Sequence, residues 1–127
     1  MTSIYEKIVR QVLKEIFPKN YFRKRRNVNI INPETRRQLE LDFYNASINF
    51  AIEYNGIQHY KYIPAYHKTI DVFHSQLRRD SYKIIQCKNR HIRLLIIPYT
   101  CKTRATIKHH ISNYVVTQPD LHKISTL

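Results

Sequence analysis

Two carboxylates, Asp42 and Glu53, sit in a stretch (residues 39–60, LELDFYNASINFAIEYNGIQHY) whose patterning brings them together. Leu39, Leu41 and Phe43 alternate with Glu40, Asp42 and Tyr44; Phe50, Ile52 and Tyr54 alternate with Ala51, Glu53 and Asn55. Period-two alternation marks half-buried strands, and Asn45-Ala46-Ser47-Ile48-Asn49 carries turn chemistry between them. A hairpin centred between Ser47 and Ile48 pairs Tyr44 with Ala51, Asp42 with Glu53 and Glu40 with Asn55. Directly opposed side chains stand roughly 4.5–5.5 Å apart at Cβ, so two carboxylates there repel unless something positive lies between them. A divalent metal is the natural candidate. The plainer alternative is a pair of acids on a solvated hairpin face, separated by a different register. Immediately after Glu53, Asn55-Gly56-Ile57-Gln58-His59-Tyr60 supplies a turn, polar side chains and the only glycine of the chain, where a backbone bend is expected.

The elements that must position these groups follow from periodicity. An amphipathic helix is expected over about residues 2–17, with Ser3 and Glu6 as a capping box and Pro18 as its stop. Val9, Val12, Leu13, Ile16 and Phe17 form its apolar stripe; Glu6 falls at the stripe's edge and Glu15 points away. Glu6 then either looks across to the acidic hairpin or serves only as a cap partner. A basic run, Lys19 to Arg26, follows, and Arg36 and Arg37 come after Asn32-Pro33. Arg23, Lys24, Arg25 and Arg26 are candidate phosphate clamps, with a solvated loop as the alternative; Tyr21 and Phe22 are expected to pack inward.

Residues 61–70 read as a loop around Pro64, and a helix is expected over about residues 71–89. Its apolar stripe is Phe73, Leu77, Ile84 and Cys87, and Asp80 falls inside that stripe. A carboxylate on a buried face is costly unless paired. Arg79 or Lys83 supplies the pair as plain structure, or Asp80 joins Gln76 in supporting the acidic site from behind. Ile92 to Ile97 is a continuous apolar run, suited to a central strand buried on both faces. A strand–helix–strand passage of this length favours a right-handed crossover and a mixed sheet. A C-terminal helix is expected over about residues 103–116, with His109 and His110 on the surface and a loose tail at 117–127.

The chain's 127 residues fit one α/β domain. With 22 Lys+Arg against 9 Asp+Glu the formal net charge is +13, which favours a polyanionic partner. Charge alone implies binding and not catalysis. The sequence has no apolar run of the roughly 18 residues that a spanning helix needs, and no signal-peptide core. Cys87 and Cys101 form no CxxC pair, so an intracellular, reducing setting with buried thiols is expected. Zinc held by Cys87, His91, Cys101 and His109 is a weaker reading, because the spacing matches no familiar finger.

The order Glu6, Asp42, Glu53-x-Asn55-Gly56-x-Gln58-His59, then Gln76, Arg79, Asp80 and Lys83, then Ile97-Pro98-Tyr99 resembles the PD-(D/E)XK restriction-endonuclease-like superfamily. The likeness extends over about residues 3–100 and is nearest to the compact group of very-short-patch-repair endonucleases and small nuclease-like proteins of large DNA viruses and phages. It implies a restriction-endonuclease-like core, a central mixed β-sheet flanked by helices, and Mg²⁺- or Mn²⁺-dependent hydrolysis of DNA. It also implies an intracellular protein of viral or phage origin. Asp42 and Glu53 would be direct ligands, joined by the backbone carbonyl of Tyr54; an all-oxygen set suits a hard cation. Gln58 would position water, His59 would act as acid, base or phosphate contact, and Glu6 would hold water or a second ion. Lys61, Tyr62 and His67 would meet the substrate, while Asn55, Gln76, Asp80 and Lys83 would support the site. One departure stands out. The superfamily's lysine, two residues after the second acid, is Asn55 here. Catalysis then needs a substitute, or the protein is a nucleic-acid-binding module on a nuclease scaffold. Both a dimer that cuts two strands and a nicking monomer fit.

Overall fold

The computed structural model describes residues 3–25 and 30–127. In chain order the elements are α1 (Ile4–Ile16), β1 (Arg23–Arg25), β2 (Leu41–Asn45), β3 (Phe50–Asn55), α2 (Pro64–His67), α3 (Ile70–Asn89), β4 (Arg93–Pro98), α4 (Arg104–Val116) and α5 (Pro119–Ile124). The four strands form one mixed sheet in the order β1-β2-β3-β4. β2 runs antiparallel to both β1 and β3, and β4 lies parallel to β3 after the α3 crossover.

Local chemistry sets the helix ends. The Ser3 hydroxyl accepts from the Glu6 N–H at 3.1 Å and starts α1; Phe17 caps its end just before Pro18. Thr69 accepts from the Val72 N–H at the start of α3. Thr103 and Thr106 form a reciprocal capping box on α4.

Helices cover both faces of the sheet. On one face, the expected stripe of α1 meets Phe43, Phe50, Ile52 and Ile97 together with Ile107, Ile111 and Val115 of α4 and Leu121 of α5. On the other, Leu41 and Ala51 pack with Ile30, Leu39, Ile92 and Cys87 of α3. Fully burying one Leu, Ile or Phe side chain contributes about 1.5–3 kcal/mol, so these two layers supply most of the driving force.

Several sequence expectations give way to packing. Alternation predicts a half-buried β3, yet Phe50, Ala51, Ile52, Glu53 and Asn55 are all buried. It takes the central place because it pairs on both sides and has helices on both faces. The apolar Ile92–Ile97 run predicts that central strand, but β4 lies at the sheet's margin, where His110 Nε2 stands 3.0 Å from the Ile96 carbonyl. On α3, Leu77 and Ile84 are exposed; the inward face carries Gln76, Asp80, Lys83 and Cys87 instead. The basic run is not a loop, because Arg23, Lys24 and Arg25 form the edge strand β1; Arg26 lies outside the described residues. Phe22 is buried as expected, whereas Tyr21 is exposed. The C-terminal tail is not loose. α5 buries Leu121, Arg93 pairs with Asp120, and the Thr126 N–H donates to the Ile16 carbonyl at 3.0 Å.

Candidate functional site

The hairpin register is the expected one over its turn half: Tyr44 pairs with Ala51, flanked by Phe43–Ile52 and Asn45–Phe50. Asp42 opposite Glu53 is the next pair in that register, and the ladder stops just short of it. A bulge explains why. Arg23 pairs with Tyr44 and Arg25 with Leu41, so the single residue Lys24 faces both Asp42 and Phe43. Leu41 consequently packs in one core and Phe43 in the other, although residues two apart in a regular strand share a face. A bulge re-aims side chains, and here it turns Asp42 toward open clefts on either side. One, of about 250 Å³, is lined by Glu6, Lys7, Arg10, Lys24, Asp42 and Phe43. The other, of about 750 Å³, has Arg37, Glu40, Asp42, Tyr66, Arg79 and Lys83 among its lining residues.

Glu53 is 6% exposed, and its carboxylate accepts from Lys83 Nζ at 2.8 Å. Burial pushes the Glu53 carboxyl up to about 7, Lys83 pulls it down, and the Asp42 charge raises it further. Burial likewise raises Asp42, with Lys83 and Lys24 opposing and Glu6 and Glu40 reinforcing the rise. The two acids therefore share one electrostatic site, with Lys83 as its counter-charge. Glu6 faces that site across the smaller cleft as well as lending its N–H to the cap.

Lys83, expected to support the site or to pair with Asp80, is instead the partner of Glu53. Asn55, two residues after Glu53, is buried with the Tyr60 phenol in hydrogen-bonding reach. The cation at Glu53 comes from α3, thirty residues along the chain. On the same face of α3, Asp80 Oδ2 lies 2.8 Å from His59 Nδ1. Asp80 thus pairs with His59, not with Arg79 or Lys83. Gln76 is buried, and its amide nitrogen lies 3.3 and 3.4 Å from the two ring nitrogens of His59. Its amide oxygen faces His67 Nε2 at 2.9 Å, while His67 Nδ1 accepts from the Ile63 N–H. His67 is 1% exposed, so it braces the 61–67 segment and does not face a ligand.

The remaining candidates divide. Gly56 has φ −67°, so no left-handed bend requires it; a Cβ there would come within 2.4 Å of Gln58 Oε1, whose side chain folds back over it. The Tyr54 side chain turns to the opposite core, stacked on Tyr5, with its hydroxyl donating to the Cys101 carbonyl. Lys61 is exposed in the turn after His59, and the Tyr62 hydroxyl reaches the Lys68 carbonyl. Arg36 holds φ 59° in the turn that presents Arg37 to the larger cleft. Sequence spacing alone does not single out Lys7 and Arg10, although Arg10 lies four residues after Glu6 and so shares its helical face.

Among the described residues, no three His, Cys, Asp or Glu side chains stand together as a metal-binding group. Cys87 packs in the core beneath α3, where burial pushes its thiol up to about 11, and Cys101 lies against the opposite core. The zinc quartet is thereby excluded as a preformed site. No described helix is long and apolar enough to cross a membrane.

No family profile and no solved structure matches the chain. It is similar to viral proteins. Uncharacterized protein 094L of Frog virus 3 (isolate Goorha) is 45% identical over 82 residues, which are 64% of this chain and 53% of that one. Uncharacterized protein 307L of Invertebrate iridescent virus 6 is 38% identical over 86 residues, 64% of this chain and 44% of that one. Uncharacterized protein 033L of Invertebrate iridescent virus 3 is 36% identical over 81 residues, 64% of this chain and 42% of that one. The chain spans about half the length of the curated relatives it matches.

Proposed function

We propose that this chain is a virus-encoded, intracellular, metal-dependent nuclease that hydrolyses DNA phosphodiester bonds on a restriction-endonuclease-like core. The observation that carries the reading is the Lys83–Glu53 contact of 2.8 Å beside Asp42. Two acids and a lysine come together although the lysine is absent from its motif position; Asp42 and Lys83 line the larger cleft, and Glu53 is buried. The donor set fits a hard divalent cation. Both carboxyls hold their protons more tightly than usual, chiefly through burial, and each feels the other acids nearby, which a cation would relieve. Asp42, Glu53 and the Tyr54 carbonyl would hold Mg²⁺ or Mn²⁺, which supplies charge neutralisation and a more acidic water when bound.

The protein groups divide the rest of the work. Lys83 offers positive charge to the non-bridging oxygens as the water oxygen bonds to phosphorus and the P–O ester bond breaks. Asp80 accepts from Nδ1–H of His59 and so fixes the ring and its tautomer; Nε2, which the Gln76 amide nitrogen approaches at 3.4 Å, is then the nitrogen that exchanges a proton with water or the leaving oxygen in place of that contact. Gln58, in the turn that follows β3, would position water. Lys24 and Arg37, with Arg23, Arg25, Arg36 and Lys61 further out, hold flanking phosphates. The formal charge of +13 supports such a partner.

The same ion pair favours a second reading, a binding module that does not cut, since Lys83 already compensates Glu53 without a metal ion. Incubation of supercoiled plasmid and single-stranded DNA with purified protein in Mg²⁺, Mn²⁺ or EDTA separates the two. The nuclease reading expects nicking or linearisation that EDTA abolishes. Tight, EDTA-insensitive binding without cleavage on either DNA establishes the module instead.

A further inference from the structure

Asp42 belongs to both clefts, so the clefts form two arms that meet at the proposed reaction centre. Each arm has a basic lining: Lys7, Arg10 and Lys24 on one side, Arg37, Arg79 and Lys83 on the other. Near each arm stands an exposed tyrosine that takes no part in the core. Tyr66, 59% exposed, stands on the rim of the larger cleft, held edge-on to the buried His67 ring at a centroid distance of 5.1 Å. Tyr21, also 59% exposed, is linked to the smaller one through Arg10, which lines it. The Arg10 guanidinium lies between the Phe43 ring, 5.1 Å from its centroid, and the Tyr21 ring, 5.5 Å away, with Arg23 on Tyr21 at 5.6 Å.

An exposed aromatic ring beside phosphate-binding cations is an arrangement that grips an unpaired nucleotide, because a base buried in a duplex stack has no free face to offer. We propose that the two clefts form one track for an unpaired DNA strand, with Tyr21 and Tyr66 each stacking on a base on opposite sides of the phosphate held by Lys83 beside Asp42. This assignment rests on the nuclease reading for what happens at Asp42, but the binding it describes does not need cleavage. It makes single-stranded or locally opened DNA the substrate class, in place of an intact duplex.

The test is equilibrium binding of fluorescent oligothymidylate and of a blunt, fully paired duplex, in EDTA, to wild type, Tyr21→Ala and Tyr66→Ala. Both rings are exposed and both backbones are retained, so folding is preserved; Tyr66→Trp, which keeps a stacking face, is the companion variant. Each alanine variant is expected to lose about 5-fold or more in oligothymidylate affinity, the lower end of what one stacked base contributes, with duplex affinity changed less than about 2-fold and Tyr66→Trp close to wild type. Unchanged oligothymidylate affinity in both alanine variants, or an equal loss on the duplex, overturns the track. Binding of this pattern by a protein that never cuts refutes the nuclease and leaves the track standing.

Discussion

Replacing Lys83 by Met removes the charge while keeping an unbranched apolar stem of similar length, and the cost should depend on pH in a calculable way. Lys83 and Glu53 are 16% and 7% exposed as side chains, so solvent screens their contact little. With the lysine present, Glu53 ionises at about 7. Without it, Glu53 lies far above that and stays protonated, which limits the damage that an unpaired buried carboxylate would otherwise cause. The wild type gains from ionisation only above the Glu53 pKa, at about 1.4 kcal/mol per pH unit, so Lys83→Met should cost about 2 kcal/mol near pH 8.5 and almost nothing near pH 5.5. For a domain of this size that is a Tm lower by roughly 6–10 °C at the higher pH and little changed at the lower. Thermal unfolding followed by circular dichroism at both pH values, in EDTA, measures it, with Glu53→Gln as background for a double-mutant cycle. A Tm loss of equal size at both pH values, or one that persists when Lys83→Met is combined with Glu53→Gln, would refute the reasoning.

Other outcomes follow from the same geometry. Because the folded-state pKa of Glu53 lies above its usual 4.5, its contribution to stability is complete below that value and is lost as pH rises through about 7, on the order of 3 kcal/mol. Wild type should therefore melt higher at pH 5.5 than at pH 8.5 in EDTA, by more than Glu53→Gln does, and Mg²⁺ should narrow the gap by favouring the ionised form. Lys24→Ala removes an exposed cation from the edge strand and should lower the slope of log K against log salt for DNA binding by about 1, measured by fluorescence anisotropy. Arg93→Ala should lower Tm more than Asp120→Ala, since Arg93 donates to the Ile48 carbonyl as well as to the exposed Asp120. Equal shifts in differential scanning calorimetry would contradict that.

What the sequence made legible was local. Alternation set the hairpin and its Tyr44–Ala51 register, and helical periodicity set the α1 stripe and the bounds of α3 within one or two residues. The Asp42 bulge was invisible, because it depends on β1, whose three exposed cations carry none of the apolar alternation that marks a strand. The Lys83–Glu53 pair was also invisible as a pair. The 76, 80, 83 and 87 positions of α3 share a face by helical spacing, but an apolar stripe offset by one position competed with that face. Only the packing of α3 over the sheet decides which stripe turns inward. The short α5 gave the weak signal of Pro119 at a helix start, and one buried side chain, Leu121, anchors it.

The central claim is that Asp42, Glu53 and Lys83 form one hydrolytic site. Its most direct test is the single-turnover rate of Mn²⁺-dependent DNA cleavage by wild type, Asp42→Asn, Glu53→Gln and Lys83→Met, each confirmed folded at the assay temperature. Wild type should cleave, and every variant should fall by roughly 100-fold or more, with DNA affinity kept within a few-fold. Cleavage that survives in Asp42→Asn or Glu53→Gln, or its absence in wild type under every metal condition, contradicts the claim.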